Sequence, residues 1–154
     1  MSAAGNGRRR DDGVVILRVL VTGGAGYIGS HTALQLLAAG HQVVIADDFS
    51  NAKPSVIARL EELAGQPIPV HRVDLTDRAA TAALFAAEPV DAVIHFAGFK
   101  AVGESVAQPL DYYENNLDTT FSVLRAMAAH GVRKFVFSSS ATVYGENPTL
   151  QRTE

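Results

Sequence analysis

Short apolar runs alternate along the chain with longer stretches in which apolar residues recur at helical spacing. The short runs read as strands over 17–22, 42–47, 69–73, 92–96 and 134–138, and the longer stretches as helices over 27–39, 54–63, 77–86 and 109–129. A strand that is apolar throughout is buried on both faces, as happens in a parallel sheet covered by helices on each side. Right-handed crossovers then give an α/β, Rossmann-like doubly wound sheet of order 3-2-1-4-5, truncated after about five strands. Gly40 and Gly131 follow two of the helical stretches, where glycine turns left-handed without a steric penalty. The apolar stripe Tyr112, Leu117, Phe121, Leu124 and Met127 reads as the core face of the last helix.

The 154 residues are 47% hydrophobic. A chain of this size buries roughly 70% of its unfolded surface, enough for one core. Residues 1–16 read as a disordered extension, because small residues and the run Arg8-Arg9-Arg10-Asp11-Asp12 have no apolar face to offset the entropy of ordering. A translation start near Leu17 is a further expectation. The net charge of −3, with acids and bases scattered, gives no basic face for nucleic acid. The absence of cysteine excludes disulfides and thiolate metal sites, and the five histidines match no zinc spacing, so no metal is expected. No apolar run reaches the roughly 20 residues that cross a bilayer, and a cytoplasmic protein without a membrane partner is expected.

Candidate chemistry begins where the first strand meets the first helix. Gly23, Gly26 and Gly29 stand at G-x-x-G-x-x-G spacing immediately after Val19-Leu20-Val21. The first glycine permits a tight turn, the second lets backbone approach a pyrophosphate, and the third lets helix pack closely on strand. The amide groups and positive end of the helix would face the phosphates. A carboxylate is required about 20 residues on, to accept hydrogen bonds from a ribose. Asp47 ends the second strand there, and its charge favours NAD over NADP. Asp74 closes the third strand, within reach of an adenine edge. Ser138-Ser139-Ser140 follows the fifth strand at the carboxyl end of the sheet, where open α/β folds bind ligands.

Three segments, 22–32, 93–106 and 138–145, closely resemble the UDP-glucose 4-epimerase family within the extended short-chain dehydrogenases/reductases. The likeness extends over 18–154, and its longest match, His95 to Val106, is far more specific than the glycine turn. The resemblance implies an NAD-binding domain over 17–154, incomplete because the C-terminal substrate region is absent. It puts Tyr27 and Ile28 on the pyrophosphate and Asp47, Asp48, Phe49, Ser50, Asn51 and Ala52 around the adenosine ribose. Asp74 and Leu75 would hold the adenine. Phe96, Ala97, Gly98, Phe99 and Lys100 would line the nicotinamide side, with Asn115 contacting the cofactor or its pocket. Ser140 would be the catalytic serine on the sugar 4-hydroxyl. The implied reaction interconverts UDP-glucose and UDP-galactose by transient oxidation at C4 with tightly bound NAD, in galactose metabolism. The implied partners are a UDP-sugar and, in the complete enzyme, a second copy of the chain, with the last helix in the dimer.

Two departures qualify the resemblance. Asp48 stands where the family often has asparagine. No tyrosine has a lysine four residues later: the three lysines, Lys53, Lys100 and Lys134, are preceded at that distance by Phe49, Phe96 and His130. In the resembled enzymes such a pair is the base, the lysine lowering the tyrosine pKa. The chain is therefore read as an N-terminal fragment, inactive alone and prone to associate. Two alternatives stand beside this reading. One is a nucleotide-sugar dehydratase or decarboxylase, disfavoured by Ala141-Thr142 where dehydratases tend to carry Asp-Glu. The other is a non-catalytic NAD-binding module.

Overall fold

The computed structural model describes residues 8–9 and 13–139. A two-stranded antiparallel ribbon comes first, β1 (Arg8–Arg9) with β2 (Val15–Ile16). Five parallel strands follow: β3 (Arg18–Thr22), β4 (Gln42–Asp47), β5 (Val70–Arg72), β6 (Ala92–His95) and β7 (Lys134–Phe137). The helices are α1 (Tyr27–Ala38), α2 (Ser55–Ala64), α3 (Arg78–Ala87), α4 (Val102–Ala107) and α5 (Pro109–Ala129). The sheet order is β5-β4-β3-β6-β7, the doubly wound order expected from the sequence.

Alternation along the central strands divides the core into two apolar layers. Leu20, Val44 and Val93 point to the side of Leu84 and Phe85 on α3 and Val123 and Met127 on α5. Val19, Val21, Val43 and Ile45 point to the opposite side, against Ala33 of α1 and Leu60 of α2. Neighbouring residues along one strand thus serve different layers, which is why these strands read as continuously apolar. Complete burial of a side chain such as Leu20 is worth about 2 kcal/mol. Asp77, predicted as the first helical residue, is instead the N-cap of α3, accepting from the amides of Ala79 and Ala80 at 2.8 and 3.1 Å. The start of β3 is fastened to the loop after α3. The Arg18 amide donates to Asp91 at 2.8 Å, while the Arg18 guanidinium and His71 both bond Glu88 and hold its carboxyl below the usual range.

Arg8 and Arg9 pair with Ile16 and Val15, and Gly13 has a positive φ of 82°. A ribbon of this kind satisfies backbone groups mutually and needs no apolar face of its own. Helix α4 was not predicted, because a six-residue helix without a buried residue leaves no apolar periodicity. The stripe Tyr112, Leu117, Phe121 and Leu124 is not core. Leu117, Phe121 and Leu124 are exposed, and α5 buries Thr119, Ser122, Val123, Ala126 and Met127. The two sets are offset by two residues, about 200° around a helix, so they lie on nearly opposite faces. Of the stripe, only Met127 reaches the interior.

Candidate functional site at the carboxyl edge of the sheet

All five parallel strands point their carboxyl ends to one edge, which gathers Thr22, Asp47, the loop after His95 and Ser138. The glycine turn lies at its centre. Gly23 has φ 65°, and a Cβ placed there would meet the amide nitrogen of Ala97 at 2.7 Å. Only glycine lets the turn sit against the loop after β6. At Gly29 a Cβ would overlap the carbonyl oxygen of Gly23, so the third glycine is required by contact within the turn itself. Gly26 is the N-cap of α1 and has no side chain to bond the first amides of the helix. Those donors and the helix dipole leave an anion-binding end.

Asp47 closes this turn from the next strand. It is buried, its Oδ2 accepts from the Ala25 amide at 3.0 Å and its Oδ1 from the Phe49 amide at 2.9 Å. A carboxylate has about four lone-pair sites, so each oxygen retains one for a ligand hydroxyl. Phe49 adopts φ 60°, a left-handed conformation costly for a side chain of this size, and the bond from its amide to Asp47 holds it there. The Asp48 carboxylate turns away, accepting from the amide and hydroxyl of Ser50 at 2.9 and 2.7 Å. Asn51 is exposed and Ala52 half-buried.

The other residues picked out in sequence fall into three groups. Tyr27 and Ile28 are exposed on the first turn of α1, where they border an open depression of about 370 Å³ with His31, Thr32 and Gln35. Asp74 is exposed and accepts from the amide and hydroxyl of Thr76 at 2.9 and 2.7 Å, whereas the Leu75 side chain is buried in the core. Leu75 can therefore face a ligand only through its backbone. Phe96 to Lys100 leave β6 toward the glycine turn, and the Lys100 ammonium donates to the Ser138 carbonyl at 3.4 Å. Ser140, the residue on which the catalytic expectation rests, lies outside the described residues. So does Tyr144.

Sequence reasoning missed three supports, Thr22, His95 and Asn116. His95 is buried at the end of β6, with Nδ1 2.7 Å from the Thr22 hydroxyl and Nε2 3.2 Å from that of Thr120. Its burial, and secondarily the charge of Lys100, lowers its pKa to about 4, so the ring is neutral near pH 7. Its ring lies against Phe135 and Phe137. Asn116 is the third, bonding the backbone of Phe99. A signal for it was present: Asn115 and Asn116 sit together inside a helix, where asparagine is a poor former. Partial desolvation, then the bond from its hydroxyl to Glu104 at 2.9 Å, raises the pKa of Tyr112.

Known proteins resemble this chain over most of its length. The UDP-glucose 4-epimerase of Bacillus subtilis (strain 168) is 52% identical over 138 residues, covering 90% of this chain and 41% of the relative. That of Klebsiella pneumoniae is 49% identical over 138 residues, covering 90% of this chain and 99% of the compared sequence. Among solved structures, the Bifidobacterium longum UDP-glucose 4-epimerase in complex with NAD+ and UDP superposes with a TM-score of 0.81 at 49% identity. It covers 83% of this chain and 38% of that one. The chain thus spans about 40% of the length of most of the curated relatives it matches. The model of the NAD dependent epimerase/dehydratase family matches residues 19–154, so the chain belongs to that family.

Proposed function

We propose that this chain is the cofactor-holding part of a UDP-glucose 4-epimerase, which interconverts UDP-glucose and UDP-galactose with bound NAD. The observation that carries the reading is the pairing of Asp47 with the glycine turn. A buried carboxylate bonds the turn at Ala25 and keeps acceptor capacity for ribose hydroxyls, beside a helix end whose N-cap is glycine. These residues fit a dinucleotide. The amides at 27–29 would hold the pyrophosphate, Asp47 the adenosine ribose, and the loop 96–100 with Asn115 the nicotinamide half. When bound, NAD supplies reversible acceptance of hydride from C4 of the sugar.

The chain's own contribution is placement. Asp47 disfavours a 2'-phosphate through like charge, the glycine turn brings backbone against phosphate, and Lys100 sets a positive charge beside Ser138. Ser140, following the same strand end, is assigned to the sugar 4-hydroxyl. A hydroxyl both donates and accepts, which suits a carbon passing between alcohol and ketone. In the proposed reaction a general base that takes the 4-hydroxyl proton is worth about 100- to 10,000-fold in rate.

The test is conversion of UDP-galactose to UDP-glucose by the product of the complete gene, beside this chain alone. The expected result is turnover by the former, with NAD recovered from the purified protein, and none above background by the latter. A complete product that holds NAD but leaves both sugars unchanged would refute the epimerase assignment.

A further inference from the structure

The loop 96–100 is fastened at both ends. At its start the Phe96 amide donates to the Thr22 carbonyl at 3.0 Å. Farther on, a single side-chain amide engages both backbone groups of Phe99. Asn116 Oδ1 accepts from the Phe99 N–H at 2.7 Å, and Asn116 Nδ2 donates to the Phe99 carbonyl at 3.2 Å. The same Oδ1 accepts from Asn115 Nδ2 at 3.0 Å. Gly98 has φ 145°, and a Cβ there would stand 2.9 Å from Asn116 Oδ1. The glycine is thus what lets the loop come close enough to be held.

From this geometry we infer that Asn116 is a positioning residue for the nicotinamide half of the dinucleotide, acting on the loop 96–100 and on Asn115 without touching the ligand. The inference rests on the dinucleotide reading above and adds a residue to it. Asparagine suits the task because one planar group presents a donor and an acceptor side by side, matching the amide and carbonyl of one backbone residue. Alanine removes all three bonds. Aspartate keeps the acceptor and sets a carboxylate against the Phe99 carbonyl.

The adenosine half supplies the discriminating control. ADP reaches the glycine turn and Asp47 but carries no nicotinamide nucleoside, so its binding is independent of the loop. The native full chain, Asn116→Ala and Gly98→Ala are titrated by calorimetry with NAD and with ADP. Gly98→Ala retains Asn116 but drives a Cβ into its amide. Both variants are expected to lose about tenfold or more in NAD affinity, the scale of two or three net hydrogen bonds, with ADP affinity within about twofold of native. NAD affinity unchanged in both variants overturns the inference. So does an equal loss for both ligands, which signals general destabilisation. A native chain that binds neither ligand overturns the dinucleotide reading itself.

Discussion

Strands β3 and β7 belong to the same parallel sheet and both are apolar, yet they differ in what covers them. Val21 in β3 is completely buried, between β4 and β6 and beneath α1. Among the described residues Val136 in β7 pairs with Ile94 on one side only; it is 58% exposed, and its neighbour Phe137 is 55% exposed. The outer face of α5 is likewise apolar and open, at Leu117, Phe121 and Leu124. Hydrophobicity sets which residues can be buried, while the number of flanking strands and helices decides which are. The candidate site follows the covered region. Its glycine turn, Asp47 and His95 sit where three central strands end together, so their geometry is fixed by the core beneath them.

The largest effects should come from breaking the covered side. Leu20→Ala opens a cavity between β3, α3 and α5 and is expected to cost about 4 kcal/mol in chemical denaturation. A loss below about 1 kcal/mol would mean this layer repacks freely. Gly29→Ala forces a Cβ onto the Gly23 carbonyl oxygen and should cost about 3 kcal/mol of stability. Dinucleotide binding should be lost with it. Native stability and measurable dinucleotide binding in that variant would show that the turn has room the geometry denies it.

Acid should weaken the covered side as well. The folded pKa of His95 is depressed from 6.5 to about 4, so the unfolded chain takes up the proton first. The contribution is present in full above about pH 6.5, declines as pH falls through the window down to about 4, and then levels. Its total is on the order of 3 kcal/mol. Denaturation across that window should show a steeper loss in the native chain than in His95→Gln, and parallel slopes would remove His95 from the account. The smallest effect belongs to the open side. Val136→Thr should change stability by no more than about 0.5 kcal/mol, and a loss comparable to Leu20→Ala would erase the contrast between the strands.

The covered half was the legible half. Strand β4 matches its predicted bounds, β3 differs by a single residue, and Gly40 and Gly131 carry the positive φ expected of them. Double burial writes itself into sequence as unbroken apolar runs, and the glycine spacing is dictated by contacts within one turn. The open half misled. On α5 the bulky apolar residues suggested the core face, whereas the small and hydroxyl-bearing Thr119, Ser122 and Ala126 share it with Val123 and Met127. Thr119, Ser122 and Ala126 are short enough to let the helix approach the sheet and α3, a choice that residue hydrophobicity does not reveal. The supports of the site were hidden for another reason. Thr22, His95 and Asn116 act on residues 17 to 75 positions away, and no local pattern records such a bond.

Calorimetric titration of this chain with NAD and with NADP tests whether Asp47 and the glycine turn form a site for NAD. NAD is expected to bind at least about tenfold more tightly than NADP, because the 2'-phosphate would meet the Asp47 carboxylate. Asp47→Ala should narrow that preference by weakening NAD more than NADP. Equal affinity for the two cofactors in the native chain, or a preference untouched by Asp47→Ala, would contradict a site for NAD at Asp47.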